Sequence, residues 1–173
     1  MAVNVSANPI NLSWSNFRVV DSSPDLSDDE VAQIHPEMRM PSNVQAVSAN
    51  GVFRLNAFTI TVAPVPQDTI VLRSAAQTDD LLRHEQGHYD LLLLVAKALA
   101  RDLGAATGSS AQALNAQVQT IRQTHDANAQ AIDSAYDTQT QHGKDSLQQT
   151  SWNQAIAGAL GNPATATIRG LRL

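Results

Sequence analysis

Cysteine is absent from the 173 residues. That excludes disulfide frameworks, cysteine-ligated zinc, iron–sulfur clusters and a cysteine nucleophile. Lysine occurs only at Lys97 and Lys144, and 11 Lys+Arg face 16 Asp+Glu for a net charge of −5. A nucleic-acid surface should be basic, so no nucleic-acid partner is expected. Charged residues make up 16%, well under the quarter usual in globular domains. Aromatics are few, at 4%, but low charge argues against disorder, which usually needs high net charge. No apolar run approaches the ~20 residues that span a bilayer, so no membrane span is expected. The segment from Met1 to Trp14 has neither a basic n-region nor an apolar h-region, so no signal peptide is expected. The length suits a single domain, residues 1–173, with a sizeable core.

Proline is unevenly spread. Prolines 9, 24, 36, 41, 64 and 66 lie in residues 1–75 and only Pro163 lies elsewhere, so this first part reads as strands and loops. Leu12 and Trp14 alternate with polar residues and suggest a short strand. Residues 21–40 are rich in Ser, Asp and Pro and read as a loop. The acids from Asp25 to Glu30 lack regular calcium-loop spacing and read as solvated. Phe53 to Val62 gives the clearest strand pattern, with a break near Ala57 where the alternation changes phase. Residues 69–72 suggest one more strand.

Residues 76–160 change character, with Ala, Leu and Gln taking over. Thr78 followed by Asp79 and Asp80 is a helix start: a hydroxyl cap, then two acids favoured by the helix dipole. Helical periodicity runs to Leu103, with Gly104 as the expected stop. A second helix is expected from about 110 to 142, stopping at Gly143, and a third over roughly 145–160. Residues 161–173 form an unassigned tail. The expected fold is α+β: an N-terminal β-rich part packed on a helical hairpin and a third helix.

The first helix carries His84-Glu85-Gln86-Gly87-His88, an H-E-x-x-H motif. Residues four apart on a helix share a face, so both imidazoles can reach one metal ion. Glu85 lies one residue along, where it can contact a metal-bound water without ligating the metal. Zinc lowers the pKa of such a water to ~7, and a carboxylate can then take its proton. Gly87 inside a helix costs about 1 kcal/mol against Ala, which is tolerable where something must approach closely.

A catalytic zinc site takes three protein ligands and a water. Candidates for the third are His125, Asp133, Tyr136, Asp137 and His142. If the first two helices form a straight hairpin, His84 stands level with about residue 130. His142 would then lie about 18 Å farther along, at 1.5 Å per residue. That geometry favours Asp126, Asn128 or Asp133. Imidazole chemistry and a place at a helix end favour His142, with Asp137 next as a carboxylate ligand.

Leu81 to Asp90, followed some 45 residues later by Tyr136-Asp137-Thr138-Gln139-Thr140-Gln141-His142-Gly143 and then a Gln/Trp pair, resembles the DUF922 family. Trp14-Ser15-Asn16-Phe17 resembles that family's start more weakly. The resemblance covers roughly residues 78–156. It implies a zincin-like bacterial zinc-dependent protease, often secreted. It makes His84, His88 and His142 the metal ligands, Glu85 the general base and Tyr136 a donor to the oxyanion.

Other residues carry plainer readings. His125 sits on an apolar stripe with Ile121 and Ile132 and reads as a core histidine. His35 reads as solvent-facing. The run Leu91–Leu94 implies a helix buried on more than one side. Trp152 reads as a packing anchor, and Asp90 as either an acceptor for a ligand imidazole or a solvated acid. The strands at 53–62 or 69–72 are expected to form the cleft edge that would hold an extended peptide. The functional expectation is zinc-dependent hydrolysis of a peptide or protein substrate. Its rivals are a zinc-bound module without turnover, a metal-free helical interaction protein, and a metal-dependent hydrolase of another bond such as an amidase.

Overall fold

The computed structural model describes residues 2–24, 26–27 and 30–173. Asp25, Asp28 and Asp29, part of the acidic stretch read as solvated, lie outside the described residues. The chain runs β1 (Val3–Ala7), β2 (Arg18–Val20), β3 (Ala32–Gln33), β4 (Pro36–Arg39), β5 (Ala46–Ala49), β6 (Val52–Leu55), β7 (Phe58–Pro64) and β8 (Ile70–Leu72). Then come α1 (Asp79–Ala105), α2 (Ala111–Thr140) and α3 (Ser146–Leu160), and finally β9 (Thr167–Ile168) and β10 (Leu171–Arg172). The fold is α+β, as expected. One sheet has the order β1-β7-β4 and another β2-β8-β3, while β5-β6 and β9-β10 form separate pairs. In the first sheet β1 runs parallel to β7, with Val5 opposite Ile60, and β4 pairs antiparallel on the other side.

The phase change near Ala57 is the gap between β6 and β7. Phe58, Ile60 and Val62 then face the core, with Thr59 and Thr61 pointing away. The segment around Leu12 and Trp14 is not a strand: Trp14–Asn16 is a single 3-10 turn. The Ser13 N–H donates to Asn16 Oδ1 at 2.8 Å, a local bond that competes with sheet pairing. Residues 21–40 are not all loop, since they contain β3 and β4. Pro36 opens β4, which lies at a sheet edge where the missing N–H is harmless. The tail is ordered as a hairpin turning at Arg169 and Gly170, both with positive φ, the geometry of a tight two-residue turn.

Helix α1 begins as read: Thr78 Oγ1 accepts from the Leu81 N–H, with Asp79 and Asp80 in the first turn. It passes through Gly104 and ends only at Ala105. Helix α2 is capped by Ser110 and leaves helical geometry at Gln141, before Gly143. Gln141, His142 and Gly143 all have positive φ, so the chain reverses through three left-handed residues before Asp145 caps α3.

Helix α1 lies between two cores. Leu99, Leu103 and Tyr89 pack with Ile60 and Val62 of the sheet. Leu91, Leu94 and Val95 pack with Ile132, Tyr136 and Trp152 of the other helices. The leucine run is divided between them, with Leu92 and Leu93 against the sheet core and Leu91 and Leu94 in the helical one. Tyr89 ties the layers together: its hydroxyl donates to the Val62 carbonyl at 2.7 Å and accepts from the Asn8 N–H at 3.0 Å.

Candidate metal centre

One turn of α1 brings the His84 and His88 Nε2 atoms to 3.2 Å from each other. From α2, Asp137 Oδ1 stands 3.2 Å from His84 Nε2 and 3.0 Å from His88 Nε2. Each imidazole is oriented through its other nitrogen. His88 Nδ1 lies 2.6 Å from Asp133 Oδ1. His84 Nδ1 lies 3.0 Å from Gln149 Oε1 on α3. Both partners are acceptors, so both Nδ1 atoms carry a hydrogen and the Nε2 atoms are the ones turned toward Asp137. Buried Asp137 Oδ1 has no hydrogen bond that meets its geometry, although two imidazole nitrogens surround it.

Three donors converging on one point fit a cation. A tetrahedral ion with ligand bonds of about 2.0–2.1 Å spaces its ligands about 3.3–3.4 Å apart. The observed separations of 3.0, 3.2 and 3.2 Å fall just inside that value. His84, His88 and Asp137 thus form a group that could hold a metal ion.

The electrostatics fit the same description. Burial alone would lower the His88 pKa, but the carboxylates of Asp133 and Asp137 carry it up to about 10. Burial would raise Asp137, yet the imidazoles of His84 and His88 hold it well below the usual carboxylate range. Glu85 is 3% exposed. Burial pushes its pKa above the ordinary value, against the pull of both imidazoles and the Ile34 N–H. That N–H donates to Glu85 Oε2 at 2.7 Å and pins the carboxylate between α1 and the end of β3.

The group opens on a cleft of about 1010 Å³. Glu85, His84 and His88 line its floor, Leu91 and Ile132 part of its apolar wall, and residues 30–38 one side. The cleft edge is therefore β3 and β4, from the stretch read as loop, and not the strands at 53–62 or 69–72.

His142, expected as a ligand, lies beside the trio. Its Nδ1 is 3.6 Å from Asp137 Oδ1 and 3.1 Å from Glu30 Oε1. With Glu30 and Asp137 it forms a second, adjoining group of metal-ligating type. Asp137 belongs to both groups, and it is Asp137 that meets His84 and His88. The straight-hairpin reckoning misplaces the facing level by more than a turn. The connection at 106–110 does not close tightly; instead Gly108 pairs with Phe53, and His88 faces Asp133 while His84 faces Asp137.

Tyr136 does not reach the cleft as an oxyanion donor. It is fully buried; its hydroxyl donates to the His84 carbonyl at 3.1 Å and accepts from Gln149 Nε2 at 2.7 Å. Its ring stacks on His84 with centroids 4.9 Å apart. This explains Gly87: a Cβ there would meet the Tyr136 hydroxyl at 2.0 Å. The close approach anticipated at Gly87 is made by a tyrosine of the same chain. Asp90 touches no ligand, because it accepts from Gln86 Nε2 at 2.9 Å. His125 is a core histidine as read, with Nε2 2.9 Å from Asp102 Oδ2. Trp152 is fully buried, and its indole N–H donates to Gln139 Oε1 at 3.1 Å. Gln149 and Glu30 escaped the motif reading. Gln149 is one glutamine in a Gln-rich helix, and Glu30 lies far from the motif in sequence.

A family model described as a bacterial protein of unknown function, DUF922, matches residues 33–143, more than half of the chain. The chain belongs to the DUF922 family. The matched stretch contains β4, both motif histidines, Asp137 and His142, so the whole trio lies inside the match. No curated protein and no solved structure matches the chain.

Proposed function

We propose that this DUF922 protein is a zinc-dependent metallopeptidase. The observation that carries the reading is the spacing of the three donor atoms of His84, His88 and Asp137, with the buried carboxylate of Glu85 beside them on the cleft floor. Two imidazoles and one carboxylate make a donor set that suits zinc. Bound zinc would polarise a scissile carbonyl and acidify a water.

The protein's own residues would do the rest. Asp133 and Gln149 hold the two imidazoles by their Nδ1 atoms. Glu85 takes the water's proton and returns it to the leaving amine. Burial holds its pKa above the ordinary value, which brings a carboxylate closer to the working range of a general base. A peptide would lie along residues 30–38, where an extended chain can meet the strand edge. His142 and Glu30 flank Asp137 at the mouth of the site.

The test joins metal content to turnover. Wild type should hold about one zinc per chain. Asp137→Ala should lose it, and Glu85→Gln should keep it while cleavage of a peptide library falls about 10²–10⁴-fold. Loss of zinc with His142→Ala instead would move the third ligand to His142. Full zinc without cleavage in wild type would make the protein a binding module.

A further inference from the structure

Helix α3 begins beyond the DUF922 match, yet one of its side chains reaches under the metal group. Gln149 is buried, and each of its polar atoms is engaged. Its amide nitrogen donates to the Tyr136 hydroxyl at 2.7 Å and to Asn153 Oδ1 at 2.8 Å. An amide nitrogen has two hydrogens, so these two bonds use both. That settles which end of the amide faces His84: the oxygen, 3.0 Å from Nδ1. Tyr136 cannot relax the arrangement, because its own hydrogen goes to the His84 carbonyl.

We infer that Gln149 is a positioning residue that keeps the hydrogen of His84 on Nδ1 and so presents Nε2 to a metal ion. The bonds run from the His84 carbonyl through Tyr136 and Gln149 to the imidazole, and each has a single polarity. The His84 carbonyl can only accept, so the Tyr136 hydroxyl donates to it and is left as an acceptor for Gln149. Gln149 must therefore donate there, and its oxygen must accept from His84. Were the amide reversed, its NH₂ would face Nδ1, and the hydrogen would move to the nitrogen that points at Asp137. His88 receives the same service from Asp133, a carboxylate on α2. The two ligands of one motif are thus oriented by two different helices. Partners of this kind, when removed, typically cost 10–100-fold in metal affinity. The inference rests on the metal reading, but its spectroscopic arm does not.

The experiment uses the whole 173-residue chain, with zinc as the probe in competition with a chromophoric chelator. Gln149→Leu shortens the side chain by one heavy atom and removes both polar ends; it should bind zinc 10–100-fold more weakly, with circular dichroism unchanged. Gln149→Glu restores an acceptor for Nδ1–H and should bind within a few-fold of wild type. In metal-free wild type, nitrogen-15 NMR should show a His84 Nδ1–H that exchanges slowly with solvent, and Gln149→Leu should lose that protection. Equal zinc affinity in wild type and Gln149→Leu overturns the inference, and so does a wild-type His84 with no hydrogen on Nδ1. If Gln149→Leu does not fold, the wild-type spectrum and the Gln149→Glu affinity decide. Wild type that binds no zinc but shows the protected Nδ1–H would sink the metallopeptidase reading and leave the tautomer assignment standing.

Discussion

His88 is held by two carboxylates, Asp133 at Nδ1 and Asp137 at Nε2. Its pKa rises from 6.5 to about 10 in the folded protein. In the metal-free protein this stabilises the fold fully below pH 6.5, and the contribution is lost as pH climbs through about 10. A metal ion must displace the Nε2 hydrogen, so binding and deprotonation are coupled. Zinc binding at neutral pH should release about one proton per chain, and affinity should strengthen as pH rises. Calorimetry in two buffers of different ionisation enthalpy reads the proton directly, and equal heats in both would contradict the assignment. The histidine pair and Glu85 were readable from the motif, because three residue types at fixed spacing suffice to put them on one helix face. Which of Asp137 and His142 stands nearer the pair was not readable, because the two are five residues apart and a left-handed turn lies between Thr140 and Lys144.

Gly87 of α1 lies against the Tyr136 hydroxyl of α2. Replacing Gly87 by Ala should gain about 1 kcal/mol in helix propensity. The added methyl meets a buried hydroxyl at 2.0 Å, and forced overpacking typically costs 1–3 kcal/mol. Net destabilisation in urea unfolding is expected, with partial recovery when Gly87→Ala is combined with Tyr136→Phe. A stabilised single variant would show that the contact is slack. The helices were readable because capping residues and apolar periodicity agree over long windows. The short strands were read poorly. Two or three residues, as in β3, carry too little alternation to distinguish from loop. β4 opens on a proline, a signal that describes its edge position and not its absence.

The candidate metal group draws its donor atoms from α1 and α2 and, through Gln149, a support from α3, while Ile34 fastens Glu85 to the β-rich part. An ion bound there would therefore stabilise the whole assembly and not one helix. Zinc at 100 times its dissociation constant should add about 2.7 kcal/mol. Thermal melts with zinc and with chelator should separate accordingly, and Asp137→Ala should abolish the difference. A melt insensitive to zinc in wild type would count against the site. The α+β class and the order of its parts could be read from where proline stops and leucine begins. Which strands border the cleft could not, since that depends on the parallel pairing of β1 with β7 and on the edges it leaves for β4.

The division of Leu91–Leu94 between two cores constrains the length of α1. Each residue advances a helix by about 100°. One residue inserted between His88 and Leu91 would rotate the leucines against the histidines by that angle. Either the ligands would leave Asp137, or the leucines would exchange cores. Insertions are therefore forbidden across His84–Leu94, whereas the exposed turn at Asn50–Gly51 carries neither ligand nor core and can lengthen freely.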